Sequence, residues 1–194
     1  SGERPATASF SRVKATPRVN ELPEFWLLGS SEQSALYAAE LGMRYSVAHF
    51  LNPRESHELA GLYRRNFKPS RECPEPCVNV GVFVLCAPSE NEAEDLALTR
   101  DVWRLGLERG EPGPLPSVEE AKAYVFSDEE VALIRQRRKH AICGTPEAVH
   151  EKLQALAQLH QADELVVISN CHDFAVRKRS YSLLAQAFDL GRSK

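Results

Sequence analysis

The sequence lacks the features that mark several large classes of protein. No apolar run approaches the roughly 20 residues that a membrane-spanning helix requires, and the first residues lack the charged-then-apolar order of a signal peptide. The net charge is only −3, so there is no excess of positive charge to attract nucleic acid. We therefore expect a cytoplasmic protein with neither a membrane nor a nucleic-acid partner.

Cysteine is scarce and follows no pattern. The chain has five cysteines, an odd number, and two of them lie inside apolar segments. A disulfide framework is therefore not expected, which agrees with a reducing compartment. Cys73 and Cys77 in "CPEPC" have the spacing of metal ligands, but no second pair accompanies them, so we predict no metal site.

From Phe25 onward, apolar segments of strand length alternate with amphipathic segments. The predicted strands are "FWLLGS", "RYSVAHFL", "VNVGVFVLCA" and "ADELVVIS". The connections after the strands are too long for hairpins, which predicts a parallel sheet with right-handed crossovers. The first strand is not followed by G-x-G-x-x-G, which argues against a dinucleotide-binding open sheet. The residues alone leave two architectures, an open doubly wound sheet and part of a β/α barrel.

Helix starts and chain breaks organise the rest of the chain. The first 22 residues are polar and punctuated by proline, which predicts an N-terminal arm at 1–22 followed by one domain at 23–194. Asn52 and Pro53 have the order of an N-cap and a first helical residue after the second strand. After the third strand, serines spaced three residues before a glutamate predict one helix and then two inserted helices. These pairs are Ser89 with Glu92, Ser117 with Glu120, and Ser127 with Glu130.

The segment "LLGSSEQSA" carries the strongest chemical signal. Gly29 permits a tight turn after the first strand, and Ser30, Ser31 and Ser34 surround the first turn of the next helix. Backbone N–H groups at a helix start have no intrahelical partner, and the helix dipole favours an anion such as phosphate there. Serine is also among the commonest N-cap residues, so a cap flanked by small loop residues is the alternative interpretation.

Five segments follow one another along the chain: "PEFWLLGSSEQSALYAAELGMRYSVAHFLNP", "LYRRNFKPS", "RGEPGPLPSVEEAKAY", "GTPEAV" and "ADELVVISNCHDFAVRKRSYSLLA". In this order they resemble the luciferase-like monooxygenase family, the flavin-dependent (β/α)8-barrel enzymes related to bacterial luciferase. The resemblance extends from about Val13 to the end of the chain. It is to the C-terminal half of the family's barrel, so it implies an α/β fold of four parallel β/α units with inserted helices after the third strand.

The resemblance also implies a cofactor and a reaction. In the family, reduced FMN reacts with dioxygen and a small organic substrate is oxidised, while the protein binds and shields the flavin. Gly29, Ser30, Ser31 and Ser34 match the family's segment that contacts the FMN phosphate. The N-terminal half-barrel, which supplies much of the flavin-ring pocket, has no counterpart in the sequence, so no catalytic residue is carried over.

Two histidines are candidates for a substrate cleft. His49 follows the second strand and His172 follows the fourth, and barrel enzymes place their active sites at this end of the strands. Cys171 and His172 are adjacent and point in opposite directions on an extended chain, so a Cys-His nucleophile pair is geometrically poor. A metal-dependent hydrolase is a further alternative, but the strand ends carry no cluster of His, Asp and Glu.

Half a barrel leaves two strand edges and an apolar face without partners. We therefore expect the chain to pair with a second copy or with an N-terminal half-barrel, or to flatten under its own helices and N-terminal arm. Two functions follow: the C-terminal part of an FMN-dependent monooxygenase, or a non-catalytic flavin-binding or structural half-barrel.

Overall fold

Five parallel strands form one sheet in the computed structural model, which describes residues 23–191. The strands are β1 (Trp26–Gly29), β2 (Arg44–Val47), β3 (Val78–Cys86), β4 (Ile142–Gly144) and β5 (Glu164–Ile168). The helices are α1 (Glu32–Glu40), α2 (Ser56–Asn66), α3 (Glu90–Glu108), α4 (Val118–Ala123), α5 (Asp128–Arg138), α6 (Pro146–His160) and α7 (Phe174–Ala187). The predicted arm at 1–22 lies outside the described residues, and no helix within them is long and apolar enough to cross a membrane.

The order of the strands confirms the predicted α/β class with parallel β/α units. β1 pairs with β2, β2 with β3, and β3 with β5, all in parallel, and these are the four strands predicted from the sequence. The predicted count of four is one too low, because β4 pairs with the last three residues of β3. β4 is only three residues long, which is too short for a periodic apolar pattern to reveal it.

One face of the sheet forms the main hydrophobic core. Along β3, Val78, Val80, Val82 and Val84 are all within 1% of complete burial. They pack against small and apolar side chains of α1, α2, α6 and α7, among them Ala35, Ala38, Leu59, Leu153 and Leu184. Helices therefore cover this face as crossover connections of a parallel sheet do.

The opposite face of the sheet is covered unevenly. Leu85 of β3 packs against Ala93 and Leu96 of α3 near the ends of the strands. On the outer strands, Leu28 of β1 is 57% exposed and Val166 of β5 is 40% exposed. Within residues 23–191, β1 pairs only with β2 and β5 only with β3, so both outer strands have an open edge.

The predicted inserted helices are confirmed, and one predicted helix start is wrong. Ser117 and Ser127 form capping boxes at the starts of α4 and α5. The helix predicted from Asn52 begins instead at Ser56, after an N-cap residue without a side-chain bond. The buried hydroxyl of Ser56 lies 2.8 Å from Nε2 of His160, so a contact with α6 fixes this helix start in place of the local capping signal.

Candidate functional site

The turn after β1 is held by reciprocal bonds between two serines. The Oγ of Ser31 accepts from the backbone N–H of Ser34 at 3.3 Å, and the Oγ of Ser34 accepts from the N–H of Ser31 at 3.3 Å. The hydroxyl of Ser34 donates to the carbonyl of Ser31 at 2.6 Å. Ser31 is the N-cap of α1, so the capping interpretation describes part of this turn correctly.

Glycine is required at the first position of this turn. A Cβ at Gly29 would overlap both Oγ and Cβ of Ser34. The hydroxyl of Tyr45, on the neighbouring strand, lies 3.1 Å from Oγ of Ser34 and donates to the carbonyl of Gly29 at 3.3 Å. Burial raises the pKa of Tyr45, opposed by its bond to Ser34, so this hydroxyl keeps its proton at neutral pH. The strand end and the helix start are therefore fixed to each other by side chains.

The other donors of the turn belong to exposed or partly exposed residues. The first intrahelical bond runs from Ala35 to the carbonyl of Ser31, so the N–H groups of Glu32 and Gln33 have no acceptor within the helix. Ser30 is partly exposed, and Ser31 is exposed, although its hydroxyl donates to Oγ of Ser34 at a long 3.4 Å. The proton of Ser34 goes to the carbonyl of Ser31. The geometry fits a phosphate held by Ser30, Ser31 and two N–H groups, with Ser34 positioning them. The exposed Glu32 carboxylate in the same helical turn opposes an anion.

His49 lies close to this turn in space. Gly29 pairs with Val47 across β1 and β2, and the N–H of Ala48 donates to the carbonyl of Gly29 at 2.9 Å. His49 follows directly and is 6% exposed. Burial lowers its pKa from 6.5 to about 4, with smaller contributions from the neighbouring His160 and His140. At neutral pH, His49 is therefore an uncharged imidazole.

His49 lines a cavity of about 190 Å³ between the loop after β2, β3, α3 and the end of α5. We call it the arginine cavity, since its polar wall consists mainly of five arginines and one carboxylate. These residues are Arg54, Arg100, Arg104, Arg137, Arg138 and Asp101. The structure thus places His49 beside a concave surface at the predicted end of the strands.

His172 occupies a different place. Its Nδ1 lies 2.8 Å from the carbonyl of Leu115, in the linker before α4, and the side chain is exposed. It is not among the residues that line the arginine cavity. Burial raises the pKa of the neighbouring Cys171 thiol, which disfavours the thiolate that a nucleophile requires. Among the described residues, no group of His, Cys, Asp and Glu could hold a metal ion.

Sequence reasoning missed the arginines of the cavity and Tyr45. The sequence shows "RQRR" as a charged helix end, which is typical of an exposed surface, and nothing local indicates that Arg100 of α3 faces the same space. Tyr45 lies within the predicted strand "RYSVAHFL", where its type and position indicate no role beyond that of a strand residue. One available signal is the charge in the middle of α3, where Arg100, Asp101 and Arg104 lie between the buried apolar residues Ala97 and Leu105.

Comparison with known proteins places the chain in a family. The family model described as "Luciferase-like monooxygenase" matches residues 2–162. The YwcH protein of Bacillus subtilis (strain 168) is 40% identical over 180 residues, which cover 92% of this chain and 54% of YwcH. The chain therefore belongs to the luciferase-like monooxygenase family, as its motifs predicted.

Solved structures agree with this assignment. The crystal structure of apo-MsnO8 matches with a TM-score of 0.82 and 34% identity, over 93% of this chain and 56% of MsnO8. The oxygenating constituent of 3,6-diketocamphane monooxygenase from Pseudomonas putida, solved in complex with FMN, matches with a TM-score of 0.53 at 19% identity, over 85% of this chain and 48% of that protein. This second likeness concerns the fold alone. The chain spans about half the length of the relatives it matches.

Proposed function

We propose that this chain is the C-terminal part of an FMN-dependent monooxygenase that uses reduced FMN and dioxygen on a small organic substrate. The observation that carries the proposal is the turn after β1, where Gly29 and Ser34 fix a helix start whose exposed residues Glu32 and Gln33 have N–H groups without an intrahelical acceptor. In parallel barrels this is the end at which ligands bind. The family membership and the FMN complex of a structural relative support the same cofactor.

The chain's own residues have distinct roles in this proposal. Ser30, Ser31 and the N–H groups of Glu32 and Gln33 bind the FMN phosphate, while Gly29 and Ser34 fix the turn. Bound reduced flavin supplies the electrons and the reaction with dioxygen. The neutral imidazole of His49 lines the cavity beside the turn, where it contacts substrate; His172 holds the linker before α4 at the rim.

Titration of the 194-residue chain with FMN, monitored by flavin fluorescence, tests this proposal. Ser31→Ala removes a hydroxyl and a cap, and we expect FMN to bind about tenfold more weakly. The matched control is Ser127→Ala, which removes an equivalent capping box from α5, away from the turn. Each substitution costs about 1 kcal/mol of stability through its cap. Equal FMN affinity in both variants, or no FMN binding to the parent chain, would contradict the proposal.

A non-catalytic half-barrel is the second candidate, and the open sheet face favours it. Leu28 and Val166 are exposed on the outer strands, and the buried Oδ1 of Asn79, between them on the same face, has no hydrogen-bond partner in the described part of the chain. A complementary half-barrel, or a second copy of this chain, would pair the strand edges and cover this face.

The oligomeric state of the chain distinguishes a second copy from a complementary half-barrel as the partner that covers this face. Light scattering of the chain alone should show a dimer if a second copy covers the face, and Leu28→Asp should reduce the dimer to a monomer. The control is Leu159→Asp, which introduces the same change at an equally exposed residue of α6, on the other side of the sheet. A monomeric parent chain that exposes no apolar surface to a fluorescent probe would exclude the need for either partner.

A further inference from the structure

The arginine cavity carries more positive charge than its own protein partners neutralise. Arg138 pairs with Asp101 at 2.7 Å and also with Glu94, while Arg137 pairs with Glu108. Arg54 and Arg100, in contrast, make no ion pair or hydrogen bond within residues 23–191. Within the described residues, the cavity wall therefore holds two guanidinium groups that form no direct ion pair with a carboxylate.

Of these two groups, Arg54 is exposed and Arg100 is partly removed from water. Burial lowers the pKa of Arg100, with Asp101 opposing that effect, so its charge lies where hydration is poor. The ring of Phe83, 5.4 Å from the Arg100 guanidinium carbon, offsets some of this cost but accepts none of its five hydrogen bonds. The buried Nη1 of Arg137, in the same wall, has no hydrogen-bond partner in the described residues. Unsatisfied buried donors are costly, and a bound anion would satisfy them.

The residue types and the volume of the cavity limit the chemical class of ligand that it can bind. All five cations are arginines, whose planar fork matches the oxygens of a carboxylate or phosphate in a bidentate way that lysine cannot reproduce. The volume of about 190 Å³ is smaller than typical ligand pockets of roughly 300–1,000 Å³, so a whole flavin does not fit. The uncharged His49 adds a hydrogen-bonding group without adding to the positive charge.

We propose that the arginine cavity binds the carboxylate or phosphate group of a small organic acid, and that this acid is the class of substrate on which the enzyme acts. Arg54 and Arg100 provide the recognition, while Asp101 and the acidic partners outside the wall hold Arg137 and Arg138 in place. The assignment of the acid as substrate rests on the proposed function, but binding of the acid does not. The cavity is separate from the serine turn that receives the FMN phosphate.

Calorimetric titration of the 194-residue chain with succinate and with inorganic phosphate at low salt tests binding and separates the two anion types. Uncharged succinamide serves as the ligand control. We expect at least one anion to bind, and Arg54→Gln and Arg100→Gln each to weaken it by about tenfold or more. The protein control is Arg135→Gln, an equal loss of charge at an exposed residue of α5 outside the cavity.

Arg54 is exposed and has no ion pair or hydrogen bond within the described residues, so Arg54→Gln keeps the test valid if Arg100→Gln does not fold. Thermal unfolding gives a second readout, because a ligand that binds only the folded chain raises its melting temperature. No anion binding, or an equal loss in Arg135→Gln, would overturn the proposal. Because FMN is absent from these titrations, failure of FMN binding would not alter their result.

Discussion

The turn after β1 and the arginine cavity are neighbouring candidate sites for anions, and they differ in the groups that would bind the anion. The turn relies on backbone N–H groups, hydroxyls and a helix start, all within Gly29 to Ser34. The cavity relies on guanidinium side chains brought together from the loop after β2, α3 and α5. In the turn, Ser31 and Ser34 are bonded to each other, and the N–H groups of the exposed residues Glu32 and Gln33 have no acceptor within the helix. In the cavity wall, the buried Nη1 of Arg137 has no partner in the described residues. Exposed N–H groups can bond to water when no ligand is bound, whereas a buried donor without a partner is costly.

The largest expected effect is the response of stability to acid, which should come from the cavity and not from the turn. His49 lies in the cavity wall, whereas the turn contains no histidine. The pKa of His49 is about 4 in the folded chain, below its usual 6.5, so between these values the unfolded chain binds more protons. The free energy of unfolding should therefore fall as the pH drops from 6.5 towards 4. A shift of this size corresponds to about 3 kcal/mol.

Urea unfolding at pH 7 and at pH 4.5 measures this loss. His49→Gln should remove most of the acid-induced loss of stability that His49 causes. The free energy of unfolding of this variant should therefore fall clearly less on acidification than that of the parent chain. His172→Gln, at an exposed histidine outside the cavity, is the control and should lose as much as the parent. If His49→Gln and the parent respond to acid alike, His49 is not the buried neutral group described.

Gly29→Ala should have the next largest effect on stability. Of the two proposed binding sites, it should affect only the turn. The added Cβ would overlap Ser34 and force the strand end away from α1. We expect a loss of about 1–3 kcal/mol in the free energy of unfolding, together with loss of FMN binding. Anion binding in the arginine cavity should be retained, since none of its arginines contacts the turn through a described bond.

Gly113→Ala is the matched control for this substitution. A Cβ at Gly113 would meet no atom within 4 Å, so its stability and its FMN affinity should equal those of the parent chain. Full stability in Gly29→Ala would show that the close packing of the strand end on Ser34 is not required. Loss of anion binding in Gly29→Ala would show that the two regions form a single site.

The contrast between the two regions also explains what the sequence reveals. The strand, the glycine, the serine cap and the helix of the turn are consecutive, so local chemistry predicted them, as it predicted the capping boxes of α4 and α5. The start of α2 was mispredicted because Ser56 bonds to His160, 104 positions later in the chain. The arginine cavity depends on such long-range contacts throughout, and the charge of Arg100 or Arg138 does not indicate where its side chain lies.

The smallest expected effect concerns the one residue of the turn that works against its proposed ligand. Glu32 is an exposed carboxylate in the first turn of α1, where negative charge favours the free helix but repels a phosphate. Glu32→Gln should therefore strengthen FMN binding by about two- to fivefold, the equivalent of roughly 0.3–1 kcal/mol. The gain should shrink as salt is added, because the carboxylate is exposed to solvent. Glu129→Gln makes the same change in the first turn of α5 and should leave FMN affinity as it is. An unchanged affinity in Glu32→Gln would place the phosphate away from this helix start, and the serine turn would then be a helix cap alone.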